Sequence, residues 1–141
     1  MNRAATSVLM LALLPVVVGC GPATKRPESI AASSYAGVPS GVPAASIGPG
    51  ATSAVWTDGR LELTVYGSGS CPAVPVALSA PDADTVEITV SADYGVVACT
   101  ADMSPTTWIL EPPDAVDDAG TLTVKVYGYG ASPVVLQVRR S

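Results

Sequence analysis

Three segments of the sequence alternate apolar and polar residues with a period of two: 61–66, 86–91 and 121–126. In the first of them, Leu61, Leu63 and Val65 fall on one face and polar residues or tyrosine on the other. Successive side chains of a β-strand point to opposite faces, so this period is typical of a strand with one buried face. No stretch after residue 20 carries apolar residues at helical spacing. The pattern therefore predicts an all-β fold built from half-buried antiparallel strands.

Turn residues divide the remaining sequence into further short strands. Gly, Pro and Asp clusters separate candidate strands at 74–79, 96–100, 106–111 and 134–139. Asp58-Gly59 suits a two-residue hairpin turn, since both residues tolerate positive φ, and this turn would pair Trp56 with Leu61 on the core face. Seven or eight short strands within residues 54–141 predict a small antiparallel β-sandwich of immunoglobulin-like architecture. The Trp-to-Cys arrangement of antibody domains is absent.

Aromatic residues are few, and the chain has no Phe. A domain that lacks Phe must fill its interior with other large side chains, so Trp56 and Trp108 are predicted in the core. Tyr94, Tyr127 and Tyr129 fall in or beside predicted turns and are the candidate binding residues, because exposed rings bind sugar faces and protein partners well. Ordinary half-buried packing at strand ends is the alternative for these three tyrosines.

The N-terminus carries the features of a secretory signal. Asn2 and Arg3 precede an apolar run over 4–18, which is shorter than a membrane span and is interrupted by Pro15. The run ends in Val17-Val18-Gly19-Cys20, which resembles the lipobox of bacterial lipoproteins. The resemblance implies that residues 1–19 are a signal peptide and that Cys20 becomes the first mature residue, linked through a thioether to diacylglycerol. The protein would then lie on the extracytoplasmic face of the cell membrane.

A low-complexity segment follows the expected lipidation site. Residues 20–53 hold five prolines among Gly, Ala and Ser, with no apolar periodicity. Such composition is typical of a disordered tether, and a flexible chain of this length has a reach of about 30 Å. We therefore expect the domain to fold without residues 21–50 and to stand clear of the lipid headgroups.

The two cysteines that remain after lipidation are Cys71 and Cys99. Outside the cytoplasm a leftover pair is expected to form a disulfide, and two reduced, buried thiols are the alternative. A disulfide between them would have a structural role in a domain whose core is small.

Catalytic chemistry has few candidates in this sequence. The chain has no His, and its only lysines are Lys25 in the tether and Lys125 on a predicted outward face, so a hydrolase of the triad type is excluded. Two carboxylates suffice for glycosidase chemistry, but nothing in the spacing of the three glutamates after residue 60 singles out a pair. Those residues are interpreted as solvated positions and the protein as a non-enzyme; they are Glu62, Glu87 and Glu111.

Metal and nucleic-acid binding are equally poorly supported. Asp114, Asp117 and Asp118 cluster after two prolines, and Asp82 and Asp84 in an earlier turn, but neither group has the spacing of a calcium loop. Both are interpreted as solvated turns, and no metal or cofactor is expected. Loss of Arg3 with the signal would leave 12 acidic residues against six basic ones. This excess argues against nucleic acid or an anionic lipid surface as partner.

A second likeness lies in the cysteine segments. Cys71-Pro72-x-x-Pro75 and Cys99-Thr100-x-Asp102-x-x-Pro105-Thr106-Thr107 resemble segments of small lipoproteins and secreted proteins of actinobacteria, in which a signal and a low-complexity tether precede a two-cysteine β domain. The likeness covers roughly residues 54–139. It implies a fold and a location, and it places Cys71 and Cys99 at the matching disulfide positions.

Two functional hypotheses follow. The first is a monomeric, lipid-anchored extracytoplasmic β-sandwich with a non-catalytic binding or envelope-structural role, whose partner is an envelope protein or glycan. The alternative is a carbohydrate-binding or enzyme-accessory module that presents tyrosines to cell-wall glycan. Clustered, exposed rings of Tyr94, Tyr127 and Tyr129 would favour the alternative, and scattered or buried rings the first hypothesis.

Overall fold

The computed structural model describes residues 25–42 and 52–140, and within them the protein is a sandwich of two four-stranded sheets. Sheet A has the order β1-β6-β3-β2 and sheet B the order β4-β5-β7-β8. The prediction of a small all-β sandwich is confirmed. In chain order the strands are β1 (Ser33–Ala36), β2 (Thr52–Thr57), β3 (Arg60–Gly67), β4 (Val74–Asp82), β5 (Thr85–Ser91), β6 (Ser104–Leu110), β7 (Gly120–Tyr127) and β8 (Val134–Arg140).

The core lies between the sheets and consists of the residues that the period-two pattern places on one face. The apolar positions of β3, β5 and β7 are at most 3% exposed; they are Leu61, Leu63, Val65, Val86, Ile88, Val90, Leu122, Val124 and Val126. Burial of each such side chain contributes about 1.5–3 kcal/mol relative to its exposure. Trp108 is buried opposite Leu63, and half-buried Trp56 packs against the same core. Both predictions for the tryptophans are confirmed.

The first hairpin forms where the sequence predicts it. Asp58 and Gly59 have φ values of 50° and 76°, which are the positive values that a two-residue primed turn requires. The turn pairs Trp56 with Leu61. The register of β2 against β3 therefore follows from a local turn.

One strand pairing differs from the antiparallel prediction. Five of the six pairings are antiparallel, but β5 and β7 run parallel. The chain leaves β5 for sheet A, reverses in β6, and returns to sheet B as β7, so β5 and β7 point the same way. In the immunoglobulin arrangement the strand that first crosses to the second sheet lies beside strand F. Here that strand, β4, pairs with β5, and β5 separates it from β7, so the likeness is one of architecture and not of connectivity.

A strand expected at 96–100 is absent, because the chain there forms an exposed loop between β5 and β6. The loop begins with a turn in which Asp93 Oδ1 accepts a hydrogen bond from Gly95 N at 3.1 Å, and Gly95 has a φ of 63°. Val96 is 92% exposed. The β-propensity of Val96 and Val97 led to a wrong strand prediction, since both residues lie in a loop and pair with no strand. The strands expected at 74–79, 106–111 and 134–139 are confirmed as β4, β6 and β8.

The expected disordered tether is wrong for its described part. Residues 33–36 form β1, the edge strand of sheet A, which pairs with β6, and the flanking Ala32 and Gly37 donate to Ile109 O and Pro105 O at 2.9 and 3.0 Å. These hydrogen bonds join backbone groups and do not depend on the side chains. Strand β1 can therefore form without the alternation of apolar and polar residues by which a strand is recognised in a sequence. Residues 20–24 and 43–51 of the expected tether lie outside the described residues, as does the expected signal of residues 1–19.

The strand directions define two ends of the sandwich. The disulfide end comprises the loops 68–73, 92–103 and 128–133, and the opposite end comprises the turns 58–59 and 83–84 and the loop 111–119. At the opposite end the buried Arg140 side chain donates to the carbonyl oxygens of Ala83 and Asp117 and pairs with the Asp84 carboxylate at 2.5 Å. One arginine thus joins turn 83–84, loop 111–119 and the end of β8.

We predict that a chain beginning at Thr52 is less stable than one beginning at Lys25. Removal of β1 leaves the β6 edge without a partner, and an open edge also promotes aggregation. The expected loss in free energy of unfolding is about 1–3 kcal/mol, measured by denaturant unfolding with the Lys25 chain as the control. Equal unfolding curves for the two chains would show that β1 contributes nothing.

Candidate functional site

The described residues with the densest polar contacts lie at the disulfide end. Cys71 and Cys99 form a disulfide with an S–S distance of 2.04 Å and a Cα–Cα distance of 5.5 Å. The bond joins loop 68–73, where the chain crosses from sheet A to sheet B, to loop 92–103, where it crosses back. The predicted disulfide is confirmed, and the alternative of two reduced thiols is wrong.

Hydroxyl groups beside the two cysteines join the same loops a second time. Thr100 N donates to Ser70 Oγ at 2.9 Å, and Ser70 N donates to Thr100 Oγ1 at 3.3 Å. Ser68 Oγ lies 3.0 Å from Thr100 Oγ1 and accepts from Cys71 N at 3.2 Å. These reciprocal bonds satisfy backbone groups that have no sheet partner.

Asp102 completes this polar connection. Its carboxylate accepts hydrogen bonds from Gly69 N, at 3.1 and 3.2 Å, and from the hydroxyls of Thr100 and Ser104. The Ser104 and Thr100 hydroxyls, followed by the Gly69 amide, lower the pKa of Asp102 to about 2, because each stabilises the ionised form. A Cβ on Gly69 would stand 2.7 Å from Asp102 Oδ2, and this close approach explains why residue 69 is a glycine. Sequence reasoning missed this cluster, although Ser, Thr and Asp beside both cysteines were a usable signal.

The three candidate tyrosines do not form an exposed cluster. Tyr94 is 6% exposed and packs in the core, and its hydroxyl donates to Pro72 O at 2.8 Å; burial raises its pKa. The interpretation of Tyr94 as an exposed binding residue is therefore wrong, because the turn directs its ring beneath loop 68–73. Tyr127 is half-buried on the outer face of sheet B, where its hydroxyl donates to Glu87 at 3.2 Å.

Tyr129 lines a cavity of about 350 Å³ beside the disulfide. The ring is half-buried, and burial raises the pKa of its hydroxyl to about 12, with the Thr52 side chain acting in the opposite direction. Tyr66, Ala73 and Met103 line the same cavity with the two cysteines. The site is a mainly apolar hollow that opens at the disulfide end, and the phenol of Tyr129 stays protonated at physiological pH.

The carboxylates considered from the sequence are spread over the molecule. Glu62 lies on sheet A, where it accepts from Tyr35 at 2.7 Å, and Glu87 lies on sheet B, where it pairs with Lys125 at 3.2 Å. Glu111 is exposed after β6. The structure does not bring these three together. Within 25–42 and 52–140, no group of three or more His, Cys, Asp or Glu side chains is placed to hold a metal ion, and no helix could cross a membrane.

The aspartates of the opposite end are partly engaged by Arg140. Asp84 forms the ion pair described above, and its neighbour Asp82 accepts from Asp84 N at 3.0 Å. Asp117 offers its carbonyl oxygen, not its carboxylate, to Arg140. Asp114 and Asp118 are exposed. The positive charge beside Asp84 is thus supplied by the Arg140 guanidinium.

We predict that replacing both Cys71 and Cys99 by Ala lowers the free energy of unfolding by about 3–4 kcal/mol, since the bond closes a loop of 28 residues in the unfolded chain. Circular dichroism of the folded variant should retain its β signal, because the two sheets keep their core. Thiol titration of the native protein should find neither cysteine reactive. A double variant as stable as the parent would contradict this structural role.

We predict that Asp102 makes the disulfide end sensitive to acid. A carboxyl group whose pKa is lowered in the folded protein stabilises the fold above the ordinary pKa of about 3.9, and this contribution is lost as the pH falls toward 2. The parent should therefore lose more stability than Asp102→Asn between pH 5 and pH 2, in paired unfolding titrations. Parallel pH profiles for the two proteins would exclude this role for the carboxylate.

Comparison with protein-family models, curated proteins and solved structures found no match to this chain. Three features of the described residues lie together at one end of the sandwich: the disulfide, the Asp102 cluster and the apolar cavity.

Proposed function

We propose that this protein is a lipid-anchored, extracytoplasmic β-sandwich with a non-catalytic binding or structural role in the cell envelope. The observation that carries the proposal is that two of the three cysteines form a disulfide with each other and the third follows the lipobox sequence. Cys71 and Cys99 are joined to each other, which leaves Cys20, the residue with the lipobox sequence before it, free for lipidation. Disulfides persist in oxidising compartments, and this agrees with a position outside the cytoplasm.

The placement of polar side chains supports binding over catalysis as the proposed role. Asp102 accepts bonds from two groups of loops 68–73 and 92–103 and from Ser104 at the start of β6, and Glu87 pairs with Lys125 on the outer face of sheet B. Each of these carboxylates therefore has a structural partner. The chain also has no His that could act as a base beside a Ser or Cys.

The tyrosine positions favour this proposal over a glycan-binding module. Sugar-binding surfaces rely on exposed aromatic faces, and burial of Tyr94 removes one of the three rings on which that alternative rests. Tyr127 is hydrogen-bonded on sheet B, while Tyr129 lines the cavity. We propose an envelope component as the partner, a monomer as the working unit and the membrane as the site of attachment.

We predict that Cys20→Ala removes the protein from the membrane fraction, either by release or by retention as an uncleaved precursor. One diacylglycerol supplies two acyl chains, enough for stable anchoring where a single chain is marginal. Metabolic labelling with a fatty-acid analogue should mark the parent and not the variant. The Cys71→Ala and Cys99→Ala double variant is the matched control, and it should keep the label. An unlabelled parent would refute the anchor.

A further inference from the structure

The described chain enters the sandwich at the disulfide end. Lys25 Nζ lies 3.4 Å from Asp93 Oδ2 in loop 92–103, and the neighbouring Arg26 lies beside Tyr94. Farther along, Ile30 N donates to Pro75 O at 3.0 Å. The described segment is therefore attached to the domain at its first residue, Lys25, which lies five residues after Cys20.

The distance from Cys20 to Lys25 has a short upper limit. Five residues span at most about 18 Å even when fully extended. The headgroup layer on each side of a bilayer is about 5–8 Å thick. An acylated Cys20 would consequently hold loop 92–103 at the headgroup surface or within about 10–13 Å of it. This step rests on the proposed lipid anchor.

The same end carries most of the exposed large apolar side chains. Val96 is 92% exposed, and Val97 and Met103 are 36% and 39% exposed, all in loop 92–103. Val135, at the start of β8, is exposed beside the same end. The turns and the loop of the opposite end hold none of the exposed large hydrophobics found among the described residues. Apolar exposure thus coincides with the end nearest to the anchor.

The charges at this end nearly cancel. Lys25 pairs with Asp93, and Arg26 and Glu28 carry opposite charges. The Asp102 carboxylate is hydrogen-bonded to neutral groups and leaves one negative charge in excess. A surface of this kind gains little from anionic headgroups. Its attraction to a membrane must come from apolar burial, so it should bind zwitterionic lipid and depend little on salt.

We propose that the disulfide end rests on the bilayer, with Val96, Val97 and Met103 inserted at the boundary between headgroups and acyl chains. The disulfide and the hydrogen bonds of Thr100 and Asp102 hold this loop in shape. Insertion of a preformed loop costs less conformational entropy than the ordering of a flexible one. The lipid on Cys20 would attach the domain to the membrane, and insertion of loop 92–103 would fix the orientation of the domain on it.

The test uses the full chain, lipidated in a bacterial host and reconstituted in phosphatidylcholine vesicles with or without bromine in the acyl chains. Ala98→Trp places a reporter beside the intact valines, and Ala115→Trp places the same reporter at the opposite end; both positions are exposed. Brominated lipid should quench the emission added by Ala98→Trp well below its value in bromine-free vesicles, because insertion at the acyl boundary brings the indole to the depth of the acyl chains. Emission added by Ala115→Trp should not change.

Two further arms separate the possible results. In the Ala98→Trp background, replacing both Val96 and Val97 by Ser should abolish most of the quenching. Added salt should leave the quenching of Ala98→Trp with intact valines unchanged. Equal quenching of Ala98→Trp and Ala115→Trp, or quenching that survives both serines, would overturn the inference. An Ala98→Trp emission that varies with protein density in bromine-free vesicles would assign the loop to a second copy and overturn it as well.

The labelling of Cys20 distinguishes failure of this inference from failure of the proposed function. A parent that takes up no fatty acid would refute both the anchor and the orientation that rests on it. A labelled protein without selective quenching would refute the orientation alone.

Discussion

The structure depends on the covalent and polar connection between loops 68–73 and 92–103. These loops carry the chain from sheet A to sheet B and back again, so a bond between them ties both crossings together. The core between the sheets is made largely of Val and Leu side chains, and a domain of this size buries a limited apolar area. The Cys71–Cys99 disulfide therefore adds stability at the end where the backbone has the fewest sheet partners.

The hydrogen bonds around Thr100 and Asp102 act beside that disulfide in a different way. A disulfide limits the separation of two loops but leaves their backbone amides unsatisfied. Ser70 and Asp102 accept bonds from Thr100 N and Gly69 N, which gives these amides partners in place of water. The result is a loop whose shape is defined although it belongs to neither sheet.

The sequence predicts the parts of the fold in which side-chain burial dictates the backbone. Strands β3, β5 and β7 are recognisable because their apolar residues recur with the period of a half-buried strand. Strand β1 is not recognisable, since it is held by backbone bonds to β6 and all four of its residues are exposed. Tyr94 is a case in which the sequence predicts exposure and the structure shows burial. Its place in a turn predicts an exposed ring, but a contact with Pro72, which is distant in sequence, buries it.

The same limits apply to the candidate site. The cysteine pair could be predicted from composition, because pairing needs only a count of residues and a compartment. The hydrogen bonds of Asp102 and the exposure of Val96 could be recognised only from the three-dimensional arrangement of loops 68–73 and 92–103. The contact of Lys25 with Asp93 likewise bears on the proposed anchor, since a chain lipidated at Cys20 would have five residues, and not about 32, between the lipid and its first described contact with the domain.

Neutron reflectometry of the lipidated protein on a supported phosphatidylcholine bilayer tests this account most directly. A domain held at the disulfide end through five residues should give protein density that adjoins the headgroups, with no resolved layer of water between them. A free tether of about 32 residues would instead leave a hydrated gap of about 30 Å. Observation of such a gap would contradict the account.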